Sequence, residues 1–206
     1  MKEHPECAFV SGHYREIAVD GSLLSTPEQP CIEREHYMEI LRANYIINPA
    51  VVMYRRSALE SVGDFNTSSK IRGSEDRELC LRIARKFPVY CHGKTVAEYR
   101  IHGSSTSHNY AQMLRASTTV RRSQWKYVQG NERYEKALAE GVRACQEYYG
   151  TPLAYAMLAH VQKREWKQAL LDALVLLRYY PRLSFRPFRK LRRCVRFRLQ
   201  SLLARK

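Results

Sequence analysis

At 206 residues with 45% apolar side chains, the chain is long enough for one domain with a real core plus an appendage. No apolar run reaches about 18 residues, so no transmembrane helix is expected, and the N-terminus lacks the apolar core of a signal peptide, which predicts a cytoplasmic location. The formal charge is +15, yet ten Lys and Arg and no acid fall in 181–206, so the excess belongs to a basic tail rather than to a basic domain.

In chain order, residues 7–19 read as a strand, with Cys7 to Val10 entering, Tyr14 to Val19 leaving and Asp20-Gly21 as the turn. Pro27 and Pro30 make 25–36 irregular, a place for a loop over a site. A short helix is predicted from about Arg34 to Arg42, then a buried strand from Ala50 to Tyr54 and a helix from Arg56 to Val62, with Gly63 suited to its C-cap. Gly73-Ser74-Glu75-Asp76 opens an amphipathic helix that runs to about Lys86, with Leu79 and Ile83 on its apolar stripe. Pro88 to Arg100 supplies one or two strands. Beyond Ser107 the pattern turns helical, over about 110–129, 131–149, 152–163 and 165–180, with Gly150 and Pro181 marking breaks and Thr151-Pro152 a helix start. The last two of these helices read as one hairpin, and Trp125 and Trp166 as packing anchors. The six cysteines lack any C-x-x-C pair, which predicts free buried thiols rather than a zinc site or a disulfide framework.

The chemistry concentrates at Glu75 and Asp76. Acids in a first turn are stabilised by the helix dipole, with Ser74 available as the cap. An ionised carboxylate held there also suits a base that takes a proton from a hydroxyl. Asn44 and Asn48 flank Ile46-Ile47 before the Ala50 strand, where their amides can bond hydroxyls of a ligand, although Asn48 before Pro49 is equally a turn signal.

The ordered set Asn48-Pro49 to Arg56, Leu59, Gly63-Asp64-Phe65-Asn66, Ser74-Glu75-Asp76 and Tyr99-Arg100-Ile101-His102-Gly103-Ser104-Ser105-Thr106-Ser107 resembles the acceptor-side half of a glycosyltransferase family 2 domain, over residues 4–109. The resemblance implies an α/β, partial A-type glycosyltransferase fold over 1–109, followed by a helical extension at 110–180 of the kind many bacterial members carry, and the basic amphipathic tail at 181–206. It implies an inverting transfer from a nucleotide-diphosphate sugar to a saccharide or lipid-linked acceptor in cell-envelope polysaccharide synthesis. Asp76 is then the base and Glu75 an acceptor contact or a helix-dipole residue. His102 is a ligand for Mg²⁺ or Mn²⁺ or a diphosphate contact. Arg100, with Ser105 and its neighbours Ser104 and Ser107, binds phosphate oxygens or orders a closing loop; for the serines ordinary turn formation is the competing role.

The family's donor half carries an Asp-x-Asp metal motif, whereas the four aspartates here, Asp20, Asp64, Asp76 and Asp172, include no such pair. The expectation is therefore a transferase that starts late, or a non-catalytic remnant that binds a membrane or a partner. In the tail, Leu183, Phe185, Phe188, Leu191 and Phe197 alternate with arginines as expected of an interfacial helix on an anionic membrane, peripheral at its inner face. The same charge permits non-specific nucleic-acid attraction, but no nucleic-acid module is recognisable and no specific nucleic-acid partner is expected.

Overall fold

A computed structural model of the chain describes residues 1–43, 45–102 and 109–181. It is a mixed α/β structure that divides into two compact units, Met1–Cys145 and Gln146 onward. The helices after residue 110 are thus shared between the units, the division falling inside one long helix.

The sheet of the first unit is organised by its first strand. Strand β1 (Phe9–Ile17) turns through Asp20 to Ser22 into β2 (Leu23–Ser25), where Asp20 accepts from the Ser22 amide at 2.9 Å and Gly21 takes the left-handed φ of 90°. Strand β3 (Val52–Tyr54) pairs antiparallel with the start of β1, and β4 (Tyr90–Arg100) runs parallel along it from Val10 to Ile17. The β1/β4 register shifts on either side of His13, next to Gly12. A Cβ at Gly12 would sit 2.7 Å from Val96 Cγ2 and 2.9 Å from the Lys94 carbonyl, so the irregularity rests on a glycine where two strands close up. The buried strand expected at 50–54 is instead a 3₁₀ turn at Pro49–Val51 followed by a three-residue strand whose Met53 is exposed. Asn48 accounts for the turn: its Oδ1 accepts from the Ala50 amide at 2.9 Å.

Helices α1 (His36–Arg42), α2 (Arg56–Val62) and α3 (Glu75–Ala84) form where the pattern placed them. Gly63 at φ 84° ends α2 with its amide on the Leu59 carbonyl. The core joins Phe9 of β1 to Ile40 and Leu41 of α1 and to Leu79, Leu81 and Ile83 of α3, all fully buried. Helices α4 (Tyr110–Ser123) and α5 (Trp125–Val128) and the first half of α6 (Glu132–Gln162) complete the unit. A Cβ at Gly141 would lie 1.9 Å from the Leu41 carbonyl oxygen, so α6 can approach the end of α1 this closely only with glycine there.

Residues 131–163 were expected as two helices broken at Gly150, but α6 is continuous through Gly150 and Pro152. Gly150 serves contact rather than termination: a Cβ there would meet the Tyr180 ring at 2.3 Å. The second unit is the expected hairpin, of α6 and α7 (Trp166–Tyr179). Gln146 donates to the Tyr179 carbonyl at 2.7 Å near one end, and His160 bonds Asp172 at 2.9 Å near the other. Both tryptophans are exposed, contrary to their reading as packing anchors. Cys7, Cys80, Cys91 and Cys145 are buried free thiols as expected, while Cys31 is exposed; Cys194 lies outside the described residues. No described helix is long and apolar enough to cross a membrane.

Candidate active site

The approach to α3 is built from local hydrogen bonds. A 3₁₀ turn at Ser69–Ile71, closed by the Ile71 amide on the Ser68 carbonyl at 3.1 Å, leads into a second turn in which the Ser74 amide bonds the Ile71 carbonyl at 2.8 Å and Gly73 makes the reversal at φ 90°. Glu75 folds back so that its Oε2 accepts from the Gly73 amide at 2.7 Å. Ser74 does not cap the helix with its side chain: its hydroxyl is buried and lies 3.1 Å from the Ser117 hydroxyl of α4, tying the acidic turn to that helix. Gln112 of α4 reaches the Arg72 carbonyl of the same turn at 3.3 Å.

Asp76 is half-buried, with Oδ1 accepting from the Arg77 amide at 2.7 Å. Burial pushes its carboxyl above the ordinary aspartate range, more than the Arg77 amide and guanidinium pull it down, with Glu75 adding repulsion. One helical turn on, Cys80 Sγ lies 3.3 Å from the Tyr54 hydroxyl of β3. Both groups are pushed up by burial first and by the Asp76 charge among the remaining causes, Cys80 to about 12. Arg77 Nε and Nη1 are buried without a hydrogen-bond partner among the described residues. Asp76, Arg77, Cys80 and Tyr54 thus form one polar cluster. Tyr54 also borders an open cleft of about 560 Å³ with Arg56, Leu59, Glu60, Gly63 and Asp64, while its ring meets Phe9 and Phe65 edge-on.

Of the other sequence-derived candidates, Asn48 is buried with its oxygen on the Ala50 amide and its Nδ2 without a partner among the described residues. Arg100 donates from Nη1 to the carbonyls of Ala18 and Val19 at 3.0 and 2.7 Å, holding the β1–β2 turn. His102 is exposed two residues past β4. Asn44, Ser104, Ser105 and Ser107 lie outside the described residues, as does the tail from Arg182. Tyr54 and Cys80 were not singled out in the sequence. The spacing of four from Asp76 to Cys80 was the signal for the second, whereas the first joins through sheet pairing that no local pattern reports.

Among the described residues one trio of metal-ligating side chains converges, His4, Glu6 and Cys7, with donor atoms within 4.8 Å. The Pro5 turn brings them together through the Cys7 amide on the His4 carbonyl at 3.3 Å. The thiol faces Glu6 Oε1 at 3.5 Å and burial raises its pKa, so the trio is already a hydrogen-bonded turn. A set containing a thiol does not suit Mg²⁺ or Mn²⁺, which take oxygen ligands, and it does not include His102. Comparison with protein-family models and with curated proteins finds no match to the chain.

Proposed function

We propose that residues 1–109 are the acceptor-side half of an inverting family 2 glycosyltransferase of A-type fold, acting on a nucleotide-diphosphate sugar and a saccharide or lipid-linked acceptor. The observation that carries the reading is the environment of Asp76: a carboxylate at a helix mouth, raised in proton affinity by burial, with backbone amides as its donors among the described residues. In the reaction the acceptor oxygen attacks the anomeric carbon, its proton passes to the Asp76 carboxylate, and the nucleotide diphosphate leaves from the opposite face. A raised pKa makes the carboxylate a stronger base in its ionised form. Tyr54 links this cluster to the cleft that it lines with Arg56, Leu59, Glu60, Gly63 and Asp64, a place for the acceptor.

The described residues do not assemble oxygen ligands for Mg²⁺ or Mn²⁺ around His102, so no step is assigned to a metal held by this chain. The membrane side of the proposal rests on charge: the acid-free segment 181–206 draws the chain to an anionic inner leaflet.

The test joins a donor half containing Asp-x-Asp to the whole chain and measures sugar transfer. Asp76→Asn is expected to lower transfer by about 10²-fold or more with donor affinity unchanged. Near-parental transfer by that variant would return Asp76 to a helix-terminus role and make Glu75 the next residue to test.

A further inference from the structure

Helix α7 is apolar on both sides. Its inner side buries Ala169, Asp172, Val175 and Leu176. Asp172, the only acid in α7, is 2% exposed and occupied by His160 at 2.9 Å and Gln168 at 3.0 Å. The outer side presents Trp166, Leu170, Leu174 and Leu177 at 63, 62, 54 and 71% exposure. They follow at steps of four, four and three residues, which keeps them within one arc of the helix, and Leu171 is exposed on its flank. The exposed charges within α7 are Lys167 and Arg178, both cationic; Lys163 and Arg164 precede the helix together with one acid, Glu165, whose carboxylate lies 3.6 Å from His160 Nε2, and the ten cations of 181–206 follow it.

An apolar stripe of this size is not left to water without a partner. Phosphate backbones give nothing to a leucine face. A second copy would place its own Lys167 and Arg178 against those of the first. An anionic bilayer satisfies both parts, taking the leucines into its acyl boundary and the cations among its headgroups, with Trp166 at the interface. We propose that the Trp166–Leu170–Leu174–Leu177 face of α7 is a membrane-inserting surface, apolar where the tail is electrostatic. It takes its partner from the membrane reading of the tail, but it acts through a different force.

The experiment uses the full chain with Trp125→Phe, so that Trp166 is the only tryptophan, and vesicles of phosphatidylglycerol and phosphatidylcholine. Trp166 emission is expected to shift to the blue on binding and to be quenched by lipids brominated on their acyl chains. Replacing Leu170, Leu174 and Leu177 together by Gln, all at exposed positions, should abolish the shift. It should also weaken vesicle binding at least tenfold in high salt, where screening removes the tail's share. Circular dichroism checks that the helices remain. Cosedimentation with Trp166 still water-like would overturn the inference and leave the tail as sole anchor. Failure of the parent to bind at any salt would overturn both readings. A blue shift without lipid also overturns it: lost on dilution, it identifies a second copy as the occupant, and lost on deleting 182–206, it identifies the tail.

Discussion

Glu78 holds Arg82 at 2.9 Å across one turn of α3, and Arg82 donates in turn to the carbonyls of Gly63 and Asp64 at 3.0 and 2.6 Å. The pair therefore does more than stabilise its own helix: it satisfies the C-terminal end of α2 and fixes the Gly63-Asp64-Phe65 turn beside the cleft at Tyr54. Glu78 is thus not a neutral position with which to compare Asp76. Glu78→Gln is expected to cost about 1 kcal/mol and Arg82→Ala about 2 to 3 kcal/mol, because the second leaves carbonyls and a half-buried acid unpaired. Urea denaturation reads both, and Arg82→Ala matching the parent would show that the turn stands without its clamp.

Asp76 is expected to trade stability for function. Its folded pKa is raised above the unfolded value, so its contribution is most favourable with the carboxyl protonated and is lost as pH rises through the folded pKa. Once ionised, the group carries a cost that Asn does not. Asp76→Asn should melt higher than the parent at pH values above the folded pKa, and the gain should shrink as pH falls through it. A lower melting temperature above that pKa would mean that the carboxylate is a net stabiliser of the helix mouth.

Gly141→Ala is expected to destabilise by about 1 to 3 kcal/mol or more, since its Cβ would overlap a backbone oxygen, which can retreat only by moving α1 or α6. At Gly150 the opposing atoms are the Tyr180 ring, a side chain that can turn aside, so alanine there should cost less. Chemical denaturation of the two variants gives the order, and equal losses would show that Tyr180 is as immobile as the backbone.

Titration of the chain with nucleotide-diphosphate sugars in the presence of Mn²⁺ should show no binding tighter than millimolar, because none of its aspartates are spaced to hold a metal on a diphosphate. Micromolar binding in a calorimeter would place a donor site within these residues and overturn the reading as an acceptor half.

Local chemistry was legible in the sequence where a local bond decides the structure. Gly63 ends α2, Asp20-Gly21 makes the first turn and the Glu75 helix starts where its acids begin. Positions whose partner is distant were not. Gly150 has the composition of a helix stop, but its neighbour is Tyr180, thirty residues away, and that contact needs the helix to continue. Ser74 has the composition of a cap, but Ser117 takes its hydroxyl. Arg100 has the charge of a phosphate ligand and spends one nitrogen on the carbonyls of Ala18 and Val19. In each case the residue type sets what bond is possible, and tertiary packing selects which partner receives it.

Every other strand among the described residues pairs with β1, and its longest pairing is with a strand that begins about 80 residues later. During synthesis β1 can close on β2 at once, but the parallel edge that β4 covers stays open until Tyr90 to Arg100 have been made. At about 5 to 20 residues per second this leaves the edge bare for roughly 4 to 16 s in every nascent chain. An unpaired strand edge is a template for other chains, so the yield of folded protein should depend on translation speed between residues 20 and 90 and on holdase chaperones acting in that interval.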